Sequence, residues 1–209
     1  VNTIHRAGDR GLLLEPDDRA DLDAVVRMLH STNLAGVADI LPAARTVFVS
    51  TESSADRLRL QQELRDLCAH LDRSPADSAD TELVTIAVRY DGDDLDDVAR
   101  LLGISVREVI DAHIGSEWCC SFVGFAPGFG YLESAERRLT VPRRTQSRTA
   151  VPAGSVALAD GYSAVYPRRS PGGWQIIGTA DATLWDLDRP HPALLRPGTR
   201  VRFTEAASS

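Results

Sequence analysis

The chain has 209 residues, 43% of them apolar, and a formal net charge of −7. That composition fits one large or two small globular domains at roughly 100–200 residues each, disfavours nucleic acid as a partner, and holds no apolar run near the ~18–20 residues of a membrane span. All 23 basic residues are arginine, so this chain carries no Schiff-base lysine, no biotin-bearing lysine and no Walker A lysine.

The opening VNTIHRAGDRGLLLEP lacks the basic-then-apolar pattern of a signal peptide. Within it, GLLLE (11–15) reads as a short strand. A helix follows, because Leu22, Val25, Val26 and Leu29 recur at helical spacing; Asp17 or Asp18 is placed to cap it. VADIL (37–41) and TVFVST (46–51) read as strands. SADRLRLQQELRDLCAHL is a second helix with Leu60, Leu64, Leu67, Cys68 and Leu71 on its apolar side and Ser53 or Ser54 as cap. ELVTIAVRY (82–90) alternates like a strand. The order β-α-β-β-α-β predicts a ferredoxin-like α/β sandwich over residues 1–90.

DGDDLDD then leads into a helix through Val98, Leu101 and Leu102. Its carboxylates read as a solvated helix start, since the spacing of a calcium loop is not met. Ser105 and Glu108 form an S-x-x-E capping box for a further short helix. These helices, residues 91–116, are expected to bridge two halves. From 117 to 209 the texture is short β-prone runs (EWCCSFVGF, SVALA, SAVYP, GWQIIGT, TLWD, RVRF) separated by Gly and Pro, and most of the eleven prolines lie here. That predicts an all-β barrel or sandwich, so the chain as a whole is α+β.

Chemistry-bearing residues concentrate in this second half. GFAPGFGYL (124–132) brings glycines that let backbone approach a ligand, and Phe125, Phe129 and Tyr131 that could wall a pocket; a plain hairpin with rings in the core is the alternative. Arg137, Arg138, Arg143, Arg144 and Arg148 form a basic cluster suited to carboxylate or phosphate, or else a solvated surface set paired with aspartates. In YPRRSPGGWQIIG (166–178), Gln175 could read an amide, or the run is a turn with a core tryptophan. His113, ahead of the strand that feeds the glycine loop, is the best-placed acid–base candidate, against a structural role. No histidine pair has metal spacing. The cysteines Cys68, Cys119 and Cys120 give no disulfide framework, which points to a reducing cytoplasmic compartment.

Taken in order, GFAPGFGYL, PRRTQSR, VPAGSV, the YP–SPGGWQIIG run and PALLRPGTRVRF resemble the 5-oxoprolinase B-subunit family, also labelled allophanate hydrolase subunit 1. That family includes a sporulation-kinase inhibitor and one part of the urea carboxylase carboxyltransferase domain. The resemblance implies a small N-terminal α/β domain and a C-terminal cyclophilin-like β-barrel. It implies ATP-dependent hydrolysis of 5-oxo-L-proline to L-glutamate. That activity would be shared with a separate or fused C-type partner (allophanate hydrolase subunit 2) and a third, A-type partner, with no biotin on this chain. It also leaves two other roles open, half of a biotin-dependent carboxyltransferase and a non-enzymatic inhibitor of a histidine kinase. Carried over by position, the motif residues are Gly124, Phe125, Pro127, Gly128, Phe129 and Tyr131; Pro142, Arg143 and Arg148; Pro152, Gly154 and Ser155; and Tyr166, Pro167, Ser170, Pro171, Gly172, Gly173, Trp174 and Gly178, and Gln175 joins the substrate-binding set as the amide reader. His113, Arg143 and Arg148 would be the catalytic members of the site. Two positions depart from the pattern: Ser147 stands where a proline is usual, and Thr179 where an arginine is usual.

Overall fold

The computed structural model describes residues 3–52, 56–72, 74 and 83–206. The chain divides into two compact units, Val1–Ser78 and Ala79–Ser209.

The first unit runs β1 (Thr3–Arg6), β2 (Gly11–Glu15), α1 (Arg19–Ser31), β3 (Val37–Pro42), β4 (Val47–Thr51) and α2 (Arg57–Ala69). Its sheet has the order β1-β2-β4-β3 with every neighbour antiparallel. Strands β2, β4 and β3 take the places expected of a split β-α-β layout. The outer place beside β2 is filled by β1, a hairpin partner, and not by the strand expected from residues 82–90. Leu22, Val25 and Leu29 on α1 and Leu60, Leu64 and Cys68 on α2 are buried with Leu12, Leu14, Val47 and Val49 of the sheet. Of the two capping candidates Asp18 is the one used, its Oδ1 accepting from the Asp21 amide at 2.9 Å. Asp56 caps α2 by accepting from the Leu58 and Arg59 amides; Ser53 and Ser54 lie outside the described residues.

The second unit continues with β5 (Leu83–Arg89), α3 (Leu95–Leu102), α4 (Val106–Gly115), β6 (Trp118–Val123), β7 (Gly130–Ser134), β8 (Arg148–Val151), β9 (Ser155–Ala159), β10 (Tyr162–Val165), β11 (Ser170–Gly172), β12 (Gln175–Ala180) and β13 (Arg200–Glu205). Seven strands close a barrel in the order β10-β7-β6-β13-β5-β12-β9, while β8 and β11 form a separate ribbon. The strand of residues 83–89 is therefore a barrel strand, paired parallel to β13 and antiparallel to β12. This corrects the boundaries expected at 90/91 and 116/117. The alternation of β5 is real, but its buried face (Val84, Ile86, Val88) matches the barrel's apolar interior, and pattern alone does not say which sheet a strand joins. The bridging helices also belong to this unit: Leu95, Val98, Val109 and Ile110 join the same cluster. The Ser105–Glu108 capping box is present, with Glu108 Oε2 accepting from the Ser105 amide at 2.7 Å.

Residues of all seven strands meet in one cluster, which fills the barrel. The period of two along β9 then sorts the rest. Val156 and Leu158 face in; Ala157 and Ala159 face out, toward a second cluster containing Phe129, Val151, Ala164, Tyr166, Trp174 and Ile176. The expected strand at TLWD is reduced to one bridge, Trp185 to Ala193.

Candidate functional site

The outward cluster is where most of the sequence-derived candidates meet. The glycine loop connects β6 to β7, as a hairpin should, closed by the Gly124 amide on the Phe129 carbonyl at 3.2 Å and the Phe129 amide on the Ala126 carbonyl at 2.9 Å. Gly128 takes φ +83, and a Cβ there would come within 2.9 Å of the Leu184 carbonyl oxygen; this glycine is demanded by packing. Pro127 is exposed beside it. Phe125 also sits in the left-handed region, at φ 65, and is 57% exposed. A bulky residue in that region costs about 1–2 kcal/mol, and burial does not offset it here.

Phe129 is the hub of the rings. Its centroid lies 5.2 Å from Phe125, 5.0 Å from Tyr131, 5.3 Å from Tyr166 and 5.6 Å from Trp174. All four contacts are edge-to-face, the arrangement that ring quadrupoles favour. The SPGGW turn is fitted to this group. The Trp174 ring stands in the same cluster as Tyr166, and any side chain at Gly172 would overlap the Tyr166 hydroxyl. Pro171 is exposed at the turn. Gly173 accepts from the Arg144 amide at 2.7 Å. Gln175 does read an amide, but it is the protein's own: its Nε2 donates to the Pro142 carbonyl at 3.1 Å. Segments 124–131, 142–148 and 166–175 thus form one connected wall.

The arginines divide sharply. Arg143, with a side chain 60% exposed, meets Asp160 through Nε at 3.1 Å, and its charge acts on the Tyr131 and Tyr166 hydroxyls. Burial raises both phenols above the ordinary tyrosine value despite that cation, and at Tyr166 despite the Arg148 charge as well, so both remain hydrogen-bond donors at neutral pH. Arg148 is committed elsewhere. Its Nη1 and Nη2 each donate at 2.8 Å to the carboxylate of Asp94, which is 1% exposed. Arg144 donates to the same carboxylate, and so does the Ile176 amide, at 2.7 Å. Burial pushes the Asp94 carboxyl up, but the Arg148 and Ile176 hydrogen bonds and the two guanidinium charges outweigh it, and the pKa is lowered. The reading of Arg148 as an anion-binding residue is therefore corrected: its forked face is already filled. The reading of DGDDLDD as wholly solvated is corrected with it. Asp94 was missed because a carboxylate at a helix start looks the same in sequence whether it meets water or two arginines 50 and 54 positions later.

His113 is also corrected. It is fully buried, facing the barrel interior from α4, stacked 4.2 Å from Phe203. Nδ1 shares a 2.8 Å hydrogen bond with the Tyr90 hydroxyl and Nε2 a 2.9 Å one with Ser163 Oγ. Burial depresses its pKa to about 3. With no water contact and both nitrogens engaged, it cannot shuttle protons to the outer wall. Ser155 and Ser170 are buried as well; Ser170 Oγ donates to the Arg168 carbonyl. At the departure from the family pattern, Thr179 Oγ donates to Asp91 at 2.8 Å and accepts from Arg89 at 3.1 Å. Among the described residues no group of His, Cys, Asp and Glu could hold a metal ion, and no helix is long and apolar enough to cross a membrane.

The family profile described as carboxyltransferase domain, subdomain C and D, matches residues 2–195. The 5-oxoprolinase B subunit of Haemophilus influenzae is 33% identical over 180 residues, 86% of this chain and 84% of that protein. The chain belongs to this family. The 5-oxoprolinase B subunit of Escherichia coli O157:H7 is 42% identical over 135 residues, covering 63% of this chain and 62% of that protein; the chain thus matches under two thirds of that relative's length. Among solved structures, TTHA0988 is 34% identical with a TM-score of 0.77, over 96% of this chain and 40% of that one. The Kluyveromyces lactis urea carboxylase gives a TM-score of 0.79 at 17% identity, over 98% of this chain and 22% of that one, a likeness of fold.

Proposed function

We propose that this chain is part of an ATP-dependent 5-oxoprolinase, which converts 5-oxo-L-proline, ATP and water to L-glutamate, ADP and phosphate. In this reading it works in the cytoplasm with a C-type partner chain and a third, A-type one. The observation that supports it is one exposed guanidinium, Arg143, acting on two protonated phenols, Tyr131 and Tyr166, above a wall of rings. 5-Oxoproline carries a carboxylate, a lactam carbonyl and a small apolar ring. Arg143 would pair with the carboxylate. The tyrosine hydroxyls would donate to the lactam oxygen as it gains negative charge, an interaction of about 3 kcal/mol per good donor at a preorganised site. Phe129 and Trp174 would pack the ring.

The residues here do not fit a nucleotide. There is no lysine, and two of the three arginines in the segment are neutralised by Asp94. ATP is accordingly assigned to the partner chains, as any biotin would be, and no step through it is derived. The test is co-expression with the product of the adjacent gene and an assay of glutamate formation from 5-oxoproline and ATP. A copurifying complex that turns over 5-oxoproline supports the reading; a stable complex without turnover overturns it.

A further inference from the structure

Asp94 is a carboxylate with almost no water contact that ties together three stretches far apart in the chain. It stands at the start of α3. Besides the Ile176 amide on its own Oδ2, its amide donates back to the Ile176 carbonyl at 2.9 Å, so it is stitched to β12 at two points. The turn before it is seated just as closely: the Gly92 amide meets the Ile177 carbonyl at 3.3 Å, and a side chain at Gly92 would overlap the β12 backbone. This anchoring faces the arginine segment, which enters with Arg144 and leaves with Arg148. The opposite flank of that segment is tied to the SPGGW turn by the Arg144 amide on Gly173 and by Gln175 on Pro142. Asp93 adds a longer contact to Arg148, at 3.9 Å, from an exposed position.

Charge is distributed unevenly across this wall. Three arginines lie within six residues. Arg144 and Arg148 converge on one buried carboxylate, with side chains 31% and 21% exposed; Arg143, next in sequence to Arg144, turns the other way and is 60% exposed. A loop free to rearrange would present all three to an anion. We propose that Asp94 is a positioning residue: it withdraws Arg144 and Arg148 from solvent and thereby leaves Arg143 as the one guanidinium of the segment that is not bound to it and stays exposed on the wall that carries Tyr131 and Tyr166. Its use in selecting a singly charged carboxylate, in place of a multiply charged anion such as a phosphate ester, rests on the oxoprolinase reading; the sorting of the arginines does not.

The experiment labels the full chain, in complex with its partner where that forms, with phenylglyoxal, and follows each arginine by peptide mass spectrometry. Hydrogen exchange of residues 142–151 and of β13 is measured in parallel. In the wild type Arg143 should react about tenfold faster than Arg144 and Arg148, the ratio expected if a charged hydrogen bond of about 1.4 kcal/mol or more must break first. Asp94→Asn keeps an acceptor for the Ile176 amide but removes the charge. It should bring the three rates within about threefold of one another and speed exchange in 142–151 about tenfold, with β13 unchanged. Asp94→Glu should restore part of the selectivity. Equal labelling in the wild type, or unchanged selectivity in a folded Asp94→Asn, overturns the proposal. So does exchange that rises equally across the barrel, which would mean a loss of stability alone. If Asp94→Asn fails to fold, Arg148→Ala takes its place: Arg144 should then stay protected through Asp94, and exposure of Arg144 would overturn the assignment. A turnover arm separates the two ideas. In an active complex Asp94→Asn should raise the KM for 5-oxoproline about tenfold with a smaller change in kcat. A wild-type complex with no turnover sinks the oxoprolinase reading while the labelling still decides the role of Asp94.

Discussion

The barrel of the second unit buries a titratable group on each side of its wall, and the two are kept by opposite means. Inside, His113 is surrounded by Phe203, Trp118 and Tyr90 and is held neutral by burial. Outside, Asp94 is as inaccessible but stays charged, because two guanidinium groups and a backbone amide converge on it. An apolar interior with two hydroxyls can satisfy an imidazole's hydrogen bonds but cannot stabilise its charge. A wall built from an arginine-bearing segment can hold a carboxylate only as an ion. The first arrangement makes a rigid core; the second leaves the third arginine, Arg143, outside the buried cluster and paired only with exposed Asp160, where we propose an anion binds.

That contrast can be broken most forcefully at Asp94. Asp94→Ala leaves Arg144 and Arg148 without their counter-ion and should cost about 3 kcal/mol, the low end for breaking a buried pair because both arginines retain some solvent contact. Urea unfolding of the chain measures it, and a loss under about 1 kcal/mol would mean the carboxylate is not an anchor. Arg143→Ala should do the reverse. Its pair with Asp160 is exposed on both sides, so stability should change by less than about 0.5 kcal/mol, while on the proposed oxoprolinase reading the KM for 5-oxoproline should rise roughly 10- to 100-fold, the worth of a charge-assisted hydrogen bond. An unchanged KM in an active complex removes Arg143 from the site.

Acid sharpens the same comparison. The folded-state pKa of His113 is depressed, so its contribution to stability is fully present above the unfolded value of about 6.5 and is lost as pH falls toward about 3. The slope within that window should approach 1.4 kcal/mol per pH unit, since the unfolded chain takes up one more proton. His113→Gln should flatten it. The pKa of Asp94 is lowered as well, and its share is lost only at lower pH, as the solution falls below the ordinary carboxylate value of about 3.9 toward its folded pKa. If the pH–rate profile of an active complex lost a limb near neutrality in His113→Gln, the imidazole would have a role its burial denies. The smallest effect is expected at Phe125. Replacing it with glycine should relieve up to about 1 kcal/mol of left-handed backbone strain and leave the melting temperature unchanged or slightly raised. A clear drop would show that the exposed ring contributes to folding.

The amphipathic helices, the alternating strands, the capping box at Ser105 and the hairpin nature of GFAPGFGYL were all legible in sequence, because each depends on residues within a few positions of one another. So was the set of segments that builds the outer wall, through its likeness to a family. Sequence did not reveal that residues 83–89 join the barrel, that residues 3–6 take the outer edge of the first sheet, that His113 faces inward or that Asp94 claims two of the three arginines. Each of those is a choice between partners that look equivalent along the chain: a strand with one apolar face fits either sheet, and a carboxylate fits water or guanidinium. Only tertiary packing, which sets what stands within hydrogen-bond reach of each group, makes the choice, because desolvation and pairing energies depend on neighbours in space and not on neighbours in sequence.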